Sequence, residues 1–228
     1  MTPVMGAELE AIADRYYAPD DAVRKPPSYF AEYERILAPL RQRHVNILEL
    51  GVAAGASMLI WRDYLPEATI VGVDLAAEAP ASISHEPHLH YVSGSQDDPD
   101  VIHRAVAHFD GPIDLIVDDC AHIGRFAKRS FVQLFQHLRG GGYYVIEDIC
   151  ASFLIQHRAF DDAETFTAPP LVDANVNQKI FPSHQNGLVG VVKQIIDLQQ
   201  SELAAQKILL PIARVTTIVN CAIIEKTS

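Results

Sequence analysis

Residues 45–57 read VNILELGVAAGAS, and this stretch decides the fold. Val45–Leu50 is an apolar run interrupted only by Asn46 and Glu49, the pattern of a strand buried on both faces. Gly51 and Gly55 bracket three small residues, the composition of a tight strand-to-helix turn. A short helix is expected over Ser57–Tyr64. Working outward, the same alternation recurs. Thr69–Val73 is a second strand ending at Asp74, and His88–Val92 a weaker third. Asp98-Pro99 opens a helix, with Asp as N-cap and Pro at the first helical position. Its apolar residues Ile102, Ala105, Val106 and Phe109 share one helical face. Ile113–Val117 is a fourth strand running into Asp118-Asp119. Phe131, Leu134, Phe135 and Leu138 give the next helix its buried face, and Gly140-Gly141-Gly142 is expected to stop it. Tyr143–Ile146 is a fifth strand running into Glu147-Asp148. Helical spacing returns at Leu188, Val191, Ile195 and Leu198, and a terminal hairpin, Arg214–Val219 with Ala222–Lys226, turns about Asn220-Cys221. The class is α/β: a doubly wound, mostly parallel seven-stranded sheet, helices on both faces, with a C-terminal antiparallel hairpin.

One domain over residues 1–228 is expected. Residues 1–40 would form a helical N-terminal cover, broken at Lys25-Pro26-Pro27. The aperiodic segment 150–186 would form a substrate lid, with Phe153, Phe160, Phe166, Phe181 and Pro169-Pro170 walling an organic acceptor, or else an oligomer contact.

With 49% hydrophobic and 21% charged residues, the chain is ordinary globular material rather than disordered, collagenous or coiled-coil. A net charge of −11 argues against nucleic acid and anionic membranes as partners, because phosphates repel it. Cys120, Cys150 and Cys221 form no CxxC pair, so neither a disulfide framework nor a zinc ribbon is encoded. No run approaches the ~20 apolar residues of a membrane span. A cytoplasmic protein is the expectation, with homo-oligomerisation left open. The histidines at 85, 88 and 90 read as the rim of strand three.

The turn after the first strand is not built for phosphates. A dinucleotide fingerprint needs a middle glycine and a P-loop needs a terminal lysine, and both are missing. Glu49, just before the turn, would repel phosphate and attract an ammonium group. Asp74, ending the second strand, is placed to accept hydrogen bonds from ribose hydroxyls. Together they suit a nucleoside with a cationic arm, which describes S-adenosylmethionine. ILELGVAAGAS followed by TIVGVDL resembles motifs I and II of the Rossmann-like S-adenosylmethionine-dependent methyltransferases.

Asp118-Asp119 and Glu147-Asp148 close neighbouring strands, so all four carboxylates gather at the edge where such sheets bind ligands. A hard divalent cation would relieve their repulsion, and Mg²⁺ favours a few carboxylates plus waters and substrate oxygens. A histidine beside a metal can serve as a general base near neutral pH, and His122 lies three residues after Asp119.

The string IDLIVDDCAHIGRFAKRSFVQLFQHLRGGGYYVIEDI resembles the metal-dependent macrolide-sugar (mycinamicin-type) O-methyltransferases, with their DDGSH and GG-x-YVIED motifs. The resemblance implies Asp119, Glu147 and Asp148 as metal ligands. It implies His122 as the base, with Asp119 beside it in catalysis. Glu49, Gly51, Gly55, Ser57, Asp74, Ser95 and Gln96 would face the cofactor, Asp118 would flank it, and Tyr29 and Tyr33 would cover it. Cys120-Ala121 departs from the family's Gly-Ser. The implied reaction is methyl transfer to a hydroxyl of a small molecule, a sugar or polyhydroxylated natural product. Metal-independent transfer, a catechol-type acceptor, and a cofactor-binding partner without chemistry are the alternatives.

Overall fold

The computed structural model describes residues 6–18, 24–153, 186–205 and 210–228. The strands are β1 (Asn46–Leu50), β2 (Thr69–Asp74), β3 (Leu89–Ser93), β4 (Ile113–Asp118), β5 (Leu138–Ile146), β6 (Ile212–Ile218) and β7 (Cys221–Lys226). They form one sheet in the order β3-β2-β1-β4-β5-β7-β6. The first five run parallel, and β7 pairs antiparallel with both β5 and β6. The α-helices are α1 (Ala7–Ala13), α2 (Pro27–Leu37), α3 (Ala56–Tyr64), α4 (Pro99–Val106), α5 (Gly124–Leu134) and α6 (Gly187–Ala205). This is the expected class, with strand limits within one or two residues except at β5.

Alternate residues of each strand feed two cores. Ile47, Ile70, Leu115, Val117 and Ile223 pack on one face with Leu9, Phe30, Tyr33, Trp61 and Tyr64 of α1, α2 and α3. Leu48, Leu50, Val71, Ile116 and Ile146 pack on the other with Ile102, Phe131 and Val191 of α4, α5 and α6. The strict alternation follows from the two-residue period of a strand. The N-terminal helices thus belong to the core, and α2 places its start above the carboxyl edge of the sheet.

The triple glycine corrects the sequence reading. The helix ends at Leu134 and continues as a 3₁₀ turn over Phe135–His137, and Gly140, Gly141 and Gly142 lie inside β5. Pairing with β4 jumps from Ile113↔Leu138 to Leu115↔Tyr143, so the glycines form an irregularity in the ladder. The Asp98 carboxylate accepts from Asp100 N at 2.9 Å, capping α4 as expected.

Register aligns the strand ends. Leu50 pairs with both Val73 and Asp118, and Asp118 pairs with Ile146. The ladder then runs one residue further. Gly51 N donates to Val73 O, Asp119 N to Leu50 O, and Glu147 N to Asp118 O. Gly51, Asp119 and Glu147 therefore emerge side by side.

Among the described residues, no helix is long and apolar enough to cross a membrane. Of the segment expected to form a lid, residues 154–185, with Phe160, Phe166, Phe181 and Pro169-Pro170, lie outside the described residues.

Candidate active site

A cavity of about 620 Å³ opens at this carboxyl edge, a size suited to a small-molecule ligand. Its two ends have different chemistry. One is the glycine turn. Gly51 has φ 91°, and a Cβ there would lie 2.1 Å from the backbone oxygen of Asp119. Only glycine permits both the backbone angle and that approach. Gly55, at φ 85°, starts α3. Asp74 laces the turn: its Oδ2 accepts from Val52 N at 2.8 Å and Ala53 N at 3.1 Å, and its Oδ1 accepts from Ala76 N at 3.2 Å. Burial pushes the Asp74 carboxyl upward, but these backbone donors outweigh it and hold it below its ordinary value.

The other end is acidic. Asp119, His122 and Asp148 each offer a ligand atom, and these atoms lie within 4.8 Å of one another. His122 Nε2 stands 3.6 Å from Asp148 Oδ2 and 3.9 Å from Asp119 Oδ1. His122 and Asp148 both have φ 53°, an uncommon conformation for residues with side chains. Such strain gathers where a site is over-determined by its surroundings. The two carboxylates at the cavity wall fit a hard divalent ion that keeps positions open for oxygen ligands, with the imidazole beside them.

Glu147 sits deeper, 1% exposed. Its Oε2 accepts from Lys25 Nζ at 2.6 Å, and its Oε1 accepts from the hydroxyl of Tyr33. Lys25 Nζ also donates to Asp119 Oδ2 at 2.6 Å and stands 4.0 Å from Glu49 Oε1. Burial alone would lower the lysine, but Glu147, Asp119 and Glu49 more than reverse this and keep it protonated. Glu49 is fully buried, with Trp61 Nε1 donating to its Oε2 at 3.2 Å. Its Oε1 has no hydrogen-bond partner among the described residues. Burial pushes the Glu49 carboxyl up to about 7 against the pull of Lys25.

Residues 48–149 match the methyltransferase-domain family. The chain is 36% identical over 148 residues to the 8-demethyl-8-alpha-L-rhamnosyl tetracenomycin-C 2'-O-methyltransferase of Streptomyces olivaceus, covering 62% of this chain and 38% of that protein. It is 37% identical over 134 residues to the L-olivosyl-oleandolide 3-O-methyltransferase of Streptomyces antibioticus, covering 55% of this chain and 33% of the relative. Its structure is similar to that of the MycE methyltransferase of the mycinamycin biosynthetic pathway, solved in complex with Mg, SAH and mycinamycin VI. That match has a TM-score of 0.73 at 25% identity and covers 96% of this chain and 53% of that one. The chain thus spans about a third to a half of the length of these relatives.

The expected residues fall into two groups. Tyr29, Gly51, Ser57, Asp74, Asp119, His122, Glu147 and Asp148 line the cavity. Glu49, Gly55, Ser95, Gln96 and Asp118 are not among its lining residues. Gln96 instead donates to Asp118 Oδ1 at 2.9 Å and accepts from Ala121 N at 3.0 Å, bracing the turn that carries His122. Tyr144 donates to Asp118 Oδ2 at 3.1 Å. Burial, partly opposed by these two bonds, raises the Asp118 carboxyl to about 6. Ser95 Oγ donates to Asp97 Oδ1 at 2.6 Å. These residues shape the site from behind its wall.

Sequence reasoning missed several parts of the site. Tyr16, Tyr17, Arg24, Lys25 and Leu75 line the cavity. Asn220, in the β6–β7 turn, donates from Nδ2 to Asp148 Oδ1 at 2.8 Å and accepts from Cys150 N at Oδ1 at 2.6 Å. Tyr29 donates to Asn220 O at 2.7 Å, so this tyrosine also braces the acidic end. The available signal for Asn220 was its place in a tight hairpin turn, where Asn tolerates positive φ, here 67°. Nothing local marked its reach to Asp148.

Proposed function

We propose that this chain transfers a methyl group from S-adenosylmethionine to a hydroxyl of a sugar carried by a natural-product scaffold, with Mg²⁺ at the acidic end. One observation carries the reading: Asp119, His122 and Asp148 meet in the same cavity as the glycine turn and Asp74. The activities of the relatives, on rhamnosyl and olivosyl groups, favour a sugar hydroxyl. S-adenosylmethionine would supply an activated methyl group, and a divalent ion would acidify the acceptor hydroxyl. The backbone of residues 51–54, Ser57 and Asp74 would bind and orient the nucleoside. Asp119 and Asp148 would hold the metal with His122 beside them. His122 Nε2 would accept the acceptor's proton, and Asp148, 3.6 Å away, would stabilise the resulting imidazolium. Tyr16, Tyr17, Pro26 and Tyr29 wall the cavity and would exclude water from the transfer.

Titration calorimetry with S-adenosylhomocysteine and with Mg²⁺ should show both binding. Incubation with S-adenosylmethionine, Mg²⁺ and a rhamnosylated or olivosylated polyketide should yield a methyl ether by mass spectrometry. Asp119→Asn with Asp148→Asn should remove the activity. Absence of S-adenosylhomocysteine binding would sink the cofactor reading. Transfer undiminished by EDTA would sink the metal, and methylation of a catechol but no sugar would sink the acceptor class.

A further inference from the structure

Lys25 is an unusual neighbour for a metal site. Its side chain is 4% exposed and its ammonium binds two of the carboxylates that close β4 and β5. With Tyr33 on the other side, both oxygens of Glu147 are engaged by protein donors. Asp119 is divided: Oδ2 faces Lys25, and Oδ1 faces His122. The lysine is delivered by a stiff segment. Pro26 is extended at φ −61° and ψ 150°, Pro27 opens α2, and Tyr29 N donates to Pro26 O at 2.9 Å.

We propose that Lys25 is a resident counter-cation that competes with the divalent ion for Asp119 and Glu147 and so holds metal affinity down. This rests on the metal reading of the same site. The physical reason is like-charge repulsion across one carboxylate. A fixed positive charge on Oδ2 of Asp119 opposes a dication drawn to Oδ1, and in a poorly solvated site that opposition is weakly screened. The lysine also withholds Glu147, which would otherwise be a third carboxylate ligand. In return the buried Glu147 and the half-buried Asp119 keep a partner whether or not metal is present, since a buried anion without a counter-charge would be strongly destabilising.

The test compares wild type with Lys25→Met, Lys25→Arg and the charge-balanced pair Lys25→Met with Glu147→Gln. Mn²⁺ binding is read by electron paramagnetic resonance, and unfolding temperature is measured with EDTA or Mg²⁺. Lys25→Met should bind Mn²⁺ about tenfold or more tighter than wild type, from the lost repulsion and the freed ligand. Its unfolding temperature should depend on Mg²⁺ far more than that of wild type. Lys25→Arg should keep wild-type affinity, and the paired variant should lose most of the gain. Lys25→Met that folds only with Mg²⁺ present supports the proposal. Lys25→Met that metal does not rescue, or that binds Mn²⁺ no tighter than wild type, overturns it. If wild type binds Mn²⁺ and Lys25→Met gains nothing, only the lysine's role falls. If neither binds Mn²⁺, the metal reading falls with it.

Discussion

The two ends of the cavity are assembled from different distances along the chain. At the glycine end, Asp74 ties Val52 and Ala53 from 22 and 21 positions away. At the acidic end, Lys25 reaches Glu147 across 122 positions, Tyr33 reaches the same carboxylate across 114, and Asn220 reaches Asp148 across 72. One end is a self-contained strand–turn–helix–strand unit. The other is a junction of the N-terminal segment, two central strand ends and the C-terminal hairpin. The glycine end can thus be supplied by one short stretch, whereas the acidic end needs the whole fold.

The largest expected effect comes from joining the two ends. Gly51→Ala would drive a methyl group into the Asp119 peptide and impose strain at φ 91°. A loss of about 3 kcal/mol in unfolding free energy is expected, with S-adenosylhomocysteine and metal binding both weakened. Denaturant unfolding and calorimetry check this, and loss of only one ligand would show the ends to be independent. His122→Asn, next in size, should lower kcat by roughly a hundredfold. It should leave S-adenosylhomocysteine affinity unchanged, which single-turnover kinetics and calorimetry would check. Asn220→Ala should weaken Mn²⁺ binding about tenfold through loss of the Asp148 hold. Cofactor affinity should stay as in wild type, a distinction that titration of each ligand would expose.

The smallest effect belongs to the glycine end. Asp74→Asn should cost about 1 kcal/mol of stability at pH 7, after allowance for solvent screening. The native Asp74 carboxyl lies below its unfolded value, so its contribution is present above that value and is lost as pH falls through the folded one. The gap between wild type and variant should therefore close below about pH 4. Urea midpoints across pH test the sign, and metal affinity should not change.

This difference in range also explains what could be read in advance. β1, its glycine turn and Asp74 are local patterns, and they appear where the alternation of apolar residues placed them. Asp119, His122 and Asp148 were legible as strand-end residues, since a parallel sheet brings such ends together regardless of helix length. Lys25 was visible only as a residue before two prolines, because its partners lie 94 and 122 positions away. Asn220 was visible only as a turn former. The triple glycine resembled a helix stop because glycine serves both purposes, and only the pairing of β4 with β5 decides between them. Asp118 and Gln96 have cofactor-type chemistry, but burial turned that chemistry toward each other.

The Asn220 hold on Asp148 has a bearing on folding order. Closing a short loop costs less entropy than closing a long one, and contacts between nearby residues form sooner. The Asp74–Val52 unit can therefore form early. Asp148 gains its amide partner only once the β6–β7 hairpin has docked on β5. A refolding chain would pass through a stage with a formed glycine turn and an unfinished acidic end.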